Sequence, residues 1–92
     1  MRSSDAVMMV ETPAVQQLRM ENEQFDAFVQ YSMNRFRKGD WGDVGPADKT
    51  SNATTETKYR FAKYKVTNPL KDIYIITEHD GSVTTVLFPD EY

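Results

Sequence analysis

The dipeptide Asp80-Gly81, set between two runs rich in β-branched residues, is the feature that most limits how this chain can fold. Ile73-Tyr74-Ile75-Ile76-Thr77-Glu78 and Val83-Thr84-Thr85-Val86-Leu87-Phe88 suit a pleated sheet. Asp-Gly between them favours a two-residue turn in which both central residues take positive φ. The spacing predicts an antiparallel hairpin over residues 73–88, with Ile75 opposite Val86 and Ile73 opposite Phe88, and Pro89 stopping the ladder. One face then carries Ile73, Ile75, Val86 and Phe88. The other carries Tyr74, Ile76, Val83 and Leu87, with Glu78. A sheet with one wet face alternates more cleanly than this. Helices are therefore expected on one face, and further chain segments or a partner on the other.

The helices precede the hairpin. Thr12-Pro13 reads as a helix start, since the hydroxyl can accept a first-turn N–H and proline fits the first helical position. A short helix to about Met20 places Val15 and Leu18 on one side. Asn22 is a second cap, with Glu23 in the first turn where the helix dipole favours negative charge. Phe25, Phe28, Val29, Ser32 and Phe36 then recur at helical spacing, widened by Met33. Arg35, Arg37 and Lys38 load the last turn, and Gly39 can end it. An alternative reading joins the two helices as one unit kinked around Glu21-Asn22.

Between helix and hairpin, residues 39–46 are dense in turn formers and hold the single tryptophan, Trp41. Pro46 can start one helical turn, and residues 44–57 read as a loop. Lys58 to Val66 is an aromatic-rich strand whose alternation breaks between Phe61 and Ala62-Tyr64, which suggests a bulge. Residues 67–72 form a turn, and Ala6 to Val10 can add a short N-terminal strand. The expectation is an α+β fold: N-terminal helices on a C-terminal antiparallel sheet of about three strands, all within one domain, 1–92, with residues 1–5 flexible.

Composition excludes whole classes of chemistry. Without cysteine there are no disulfides, thiolate nucleophiles, iron–sulfur clusters or cysteine-based zinc sites, and a single histidine, His79, rules out two-histidine metal motifs. No cofactor is expected, and no catalytic or metal-binding signature is present. Five Phe, five Tyr and one Trp argue for a folded chain. Five consecutive apolar residues at 6–10 are too few for a signal-peptide core or a membrane span, so a cytoplasmic protein is expected. The net charge of −3 predicts solubility rather than a partner.

Gly39-Asp40-Trp41-Gly42, the helix leading into it through Arg35 to Lys38, then Asp48 and Asn52, resemble a bacterial family. So does the ending Ile75-Ile76-Thr77-Glu78, Ser82-Val83-Thr84-Thr85-Val86-Leu87-Phe88-Pro89 and Glu91-Tyr92. The family comprises small proteins encoded on plasmids and conjugative elements of gut Firmicutes, often labelled automatically as "type I restriction endonuclease subunit M" or "plasmid-related protein". The similarity spans residues 11–92, and His79-Asp80-Gly81 departs from it. A methyltransferase reading of that label fails: the nearest approach to the required Asn-Pro-Pro-aromatic motif is Asn68-Pro69-Leu70. What the resemblance implies is a mobile-element accessory protein.

Each candidate site has a structural counterpart. Asp40 and Trp41 can form a recognition anchor, or can cover the core edge and bond turn amides. Tyr74, Ile76 and Leu87 mark the hairpin face on which a protein partner or a second copy could sit. Lys58, Arg60, Lys63 and Lys65, with Tyr64, have the makings of a nucleic-acid-binding strand, or of an edge strand that uses lysines against aggregation. Glu78, His79 and Asp80 point alternately to opposite faces and do not converge. The functional expectation is a non-catalytic accessory protein acting through protein–protein contact, with nucleic-acid binding by residues 58–65 as the alternative.

Overall fold

The computed structural model describes residues 8–65 and 71–92. Strand β1 (Met8–Glu11) is followed by helices α1 (Pro13–Glu21), α2 (Glu23–Arg37) and α3 (Pro46–Ala53). Strands β2 (Arg60–Tyr64), β3 (Ile73–Thr77) and β4 (Val83–Leu87) complete a four-stranded sheet of order β1-β4-β3-β2. The class is α+β, as expected. The C-terminal strands run antiparallel, and β1 joins beside β4 in parallel, which makes the sheet mixed. No helix among the described residues is long and apolar enough to cross a membrane.

The helix starts follow from their caps. Thr12 Oγ1 accepts the Val15 N–H at 3.3 Å, and Asn22 Oδ1 accepts the Phe25 N–H at 3.0 Å. Asn22 also closes α1, its N–H bonding the Leu18 carbonyl at 2.9 Å, so one residue ends a helix and begins the next. Arg19 fixes the assembly from the side. Its guanidinium pairs with Glu11 of β1 and, at 2.6 Å, with Asp26 of α2.

The phenylalanine stripe of α2 lies on the sheet. Phe25, Val29 and Ser32 are fully buried with Val15 of α1, over Ala62, Tyr64, Ile73, Ile75, Val86 and Phe88. Phe25 stacks 5.7 Å from Phe88. The hairpin register is the expected one, with Ile75 opposite Val86. Its turn is not: only Gly81 has positive φ (73°), and the Glu78 carbonyl accepts the Gly81 N–H at 2.8 Å. Asp80 Oδ1 instead accepts the Ser82 N–H at 3.0 Å, a local side-chain bond that holds Asp80 out of the left-handed region. The loop is therefore the wider kind, built on an ordinary turn closed by a left-handed glycine.

Three other expectations change. The loop predicted over 44–57 holds the eight-residue α3, started by Pro46 and docked through the buried Asn52. The bulge near Phe61 is absent, since Arg60 to Tyr64 pairs without interruption from Thr77 to Ile73. Both faces of β2 are lined by rings, so Phe61 and Tyr64 need no break to find apolar surroundings. The N-terminal strand begins at Met8 among the described residues. Residues 1–5, Ala6-Val7, Val66 and residues 67–70 of the turn expected at 67–72 lie outside them.

Two buried polar side chains should respond oppositely to truncation. Asn52 donates to the Phe61 carbonyl at 2.8 Å and accepts the Phe61 N–H at 3.0 Å, whereas the buried Ser32 Oγ has no hydrogen-bond partner. Asn52→Ala is expected to destabilise by about 2–3 kcal/mol, since it strands two backbone groups. Ser32→Ala is expected to be neutral or stabilising by up to about 1 kcal/mol. Urea denaturation midpoints at unchanged slope would check both.

Candidate interaction surface

With α1 and α2 on one face, the other face of the sheet carries three rows set by the register. They are Met8 and Val83; Val10, Thr85, Ile76 and Phe61; and Leu87, Tyr74 and Lys63. The β2–β3 half is filled by rings. Phe61 meets Tyr74 edge-on at 4.8 Å, and Tyr92 lies 6.2 and 6.0 Å from the two. The Tyr92 and Tyr59 hydroxyls are 3.0 Å apart, and the Tyr59 ring stacks on His79 at 4.6 Å. A 3₁₀ turn over Pro89–Glu91 brings Tyr92 back. Glu91 Oε1 accepts the Phe88 N–H at 2.8 Å and the Thr12 hydroxyl at 2.9 Å, tying the turn to the start of α1.

The predicted partner residues divide accordingly. Tyr74 is half-buried, while Ile76 (3% exposed) and Leu87 (7%), also on the two central strands, are nearly closed off. The exposed apolar groups lie instead on β1, where Met8 is 63% and Val10 36% exposed. Sequence reasoning missed these two. The apolar run of residues 6–10 was the available signal, but not its place beside β4.

Asp40 and Trp41 belong to a clamp. Helix α2 ends with the Gly39 N–H on the Phe36 carbonyl (3.1 Å) and the Asp40 N–H on the Arg35 carbonyl (2.9 Å), the pairing of a Schellman cap. Arg35 then grips both Asp40 oxygens, at 2.8 and 3.1 Å. That bond holds the Asp40 carboxyl below its ordinary range and the Arg35 guanidinium above its own. The guanidinium lies 5.0 Å over the Tyr64 ring, and the Tyr64 hydroxyl donates to the Asp40 carbonyl at 2.7 Å. Trp41, half-buried, packs edge-on against Phe36 at 5.2 Å. Gly42 has φ 75°, and a Cβ there would strike the Lys63 carbonyl oxygen, so this position requires glycine. As placed, Asp40 and Trp41 have tasks in the fold, with Asp40 exposed and Trp41 half-buried.

The clamp and α3 together close one edge of the sheet. The outer backbone groups of β2 are met by Asn52 at Phe61, and by Trp41 and Asp43 at Lys63 (3.1 and 2.7 Å). At the other edge, β1 pairs only with β4 among the described residues. Among the described residues, one edge is sealed and the other is not.

The basic strand is divided between faces. Arg60 turns from the free face and bonds the carbonyls of Thr54, Thr57 and Tyr59. Tyr64 is buried against the helices, and Lys65 pairs with Asp43 at 3.0 Å. Lys58 is exposed, and Lys63 flanks Tyr74 on the free face. His79 Nδ1 lies 3.1 Å from the Thr57 hydroxyl, and Glu78 and Asp80 do not join it. Among the described residues no group of three or more His, Asp or Glu is placed to hold a metal ion. Comparison with family models, with curated proteins and with solved structures finds no match to this chain.

The ring cluster makes a titration prediction. Burial, aided by the hydrogen bond that the Tyr59 hydroxyl shares with Tyr92, pushes the Tyr59 phenol up to about 12 from its ordinary 10.0. Folding thus favours the protonated phenol. Its stabilising contribution is whole below pH 10.0 and is lost as pH rises through about 12. Phenolate absorbance should show tyrosine ionisation in that upper range that Tyr59→Phe removes, Tyr64 being raised as well by its burial. Tyr92→Phe should lower the Tyr59 midpoint only part of the way, because burial is the larger cause.

Proposed function

We propose that this chain is a non-catalytic interaction module that engages a protein through the uncapped β1 edge and the adjoining Met8–Val10 surface. The observation carrying the reading is the difference between the two sheet edges. Side-chain and backbone devices satisfy the outer groups of β2, while β1, among the described residues, offers free strand positions flanked by exposed apolar side chains. An open edge of this kind is the usual template for strand addition. The resemblance to plasmid- and conjugative-element proteins supports placing the module in a cytoplasmic accessory protein that modulates host defence or plasmid maintenance.

A second reading has one observation in its favour: Lys63 shares the free face with Phe61 and Tyr74, a cation beside rings. It predicts salt-sensitive binding of single-stranded DNA that Lys63→Glu with Lys65→Glu abolishes. The protein-binding reading predicts a different pattern in affinity capture from bacterial lysate. Met8→Asp with Val10→Asp should lose the captured protein, and the lysine pair should keep it. Capture unaffected by the Met8 and Val10 changes would sink the first reading.

A further inference from the structure

We infer that the occupant of the β1 edge is a second copy of this chain, paired antiparallel about a two-fold axis at Val10. This rests on the interaction reading above. In the parallel ladder with β4, strand residues turn their backbone groups alternately inward and outward. The Thr12 N–H bonds the Val86 carbonyl at 3.1 Å, so Val10 and Met8 also face β4, while Met9 and Glu11 point outward. An antiparallel mate can bond both outward positions only if Met9 lies opposite Glu11 of the second copy, and Glu11 opposite its Met9. That register gives four N–H···O bonds. It also places Val10 directly opposite Val10 of the second copy, at a non-hydrogen-bonded pair, where side chains approach most closely.

The edge is suited to meeting itself. A two-fold axis sets like against like, so a charge at its centre would repel its own copy. Val10 is apolar, and the Glu11 carboxylate is held toward the helices by Arg19, which it shares with Asp26. No row of free acidic or basic residues is present along the strand to select a charged peptide instead. Apolar surface flanks the edge on both sides of the sheet. Met8 and Val10 lie on the free face. On the helix side Met20, 83% exposed, lines with Glu11, Gln16 and Arg19 a concavity of about 400 Å³. Three of the five exposed large hydrophobic side chains among the described residues are therefore gathered here, the others being Tyr31 and Tyr92. Pairing about Val10 leaves both α1 helices on the same side of the joined sheet, one beside each half of the junction.

The absence of cysteine permits a direct test. Light scattering across the micromolar to millimolar range should give the mass of two chains for the native protein and one chain for Val10→Lys. Circular dichroism should confirm that the variant remains folded, as the partial exposure of Val10 allows. Under mild oxidation Val10→Cys should cross-link to a covalent dimer, while Gln24→Cys, exposed on α2, should not. A single-chain mass at millimolar concentration overturns the inference, and so does cross-linking no faster at position 10 than at 24. A two-chain mass retained by Val10→Lys overturns it too, by placing the interface elsewhere. If the dimer fails but Met8→Asp with Val10→Asp still loses a captured protein, the interaction reading stands with a different occupant.

Discussion

Closure of the outer edge of β2 is the constraint on which the rest of the structure depends. An edge strand leaves a row of N–H and C=O groups seeking partners, and one lined with Phe61 and Tyr64 invites uncontrolled pairing. Here Asn52 presents an amide that bonds both backbone groups of Phe61 as a neighbouring strand would. Trp41 and Asp43 do the same for Lys63 through their own backbone. Delivering these groups requires the path taken before them: α2 must stop at Gly39, the chain must reverse within three residues, and α3 must hold Asn52 at one depth. Arg35 makes the first two possible. By gripping Asp40 while lying over Tyr64, it joins the helix end, the reversal and the edge strand in one contact set.

Features governed by near neighbours were legible in the sequence. The caps at Thr12 and Asn22, the stripe of Phe25 to Phe36 and the register of Ile75 with Val86 each follow from spacing within a few residues. The turn conformation failed where two local preferences compete. Asp-Gly favours two positive φ values, but Asp80 can instead bond the Ser82 N–H, and it does so. Helix α3 was hidden because Thr50, Ser51 and Asn52 are weak helix formers whose conformation is fixed by docking on Phe61, nine residues away.

The candidate site was half legible for the same reason. Alternation correctly assigned Tyr74, Ile76 and Leu87 to the helix-free face. Which positions on that face stay accessible depends on strand order, and order is set by the long-range pairing of β1 with β4. Ile76 and Leu87 of the central strands are nearly closed off, while Met8 and Val10 of the outermost β1 stay exposed. Trp41 and Asp40 remained ambiguous until the geometry of Gly42 against Lys63 gave every residue of Gly39-Asp40-Trp41-Gly42 a structural task.

The two edges also explain how an exposed strand can be tolerated. A sheet open at both ends can add copies indefinitely, and a head-to-tail contact that does not close yields fibres. With β2 sealed, each copy has one free edge among the described residues. Pairing that edge about a two-fold axis uses it on both molecules, so assembly stops at two. The devices at Asn52 and Gly42 therefore matter for more than the stability of one chain. They make the free edge at Val10 safe to keep, because a growing sheet would have nowhere to continue.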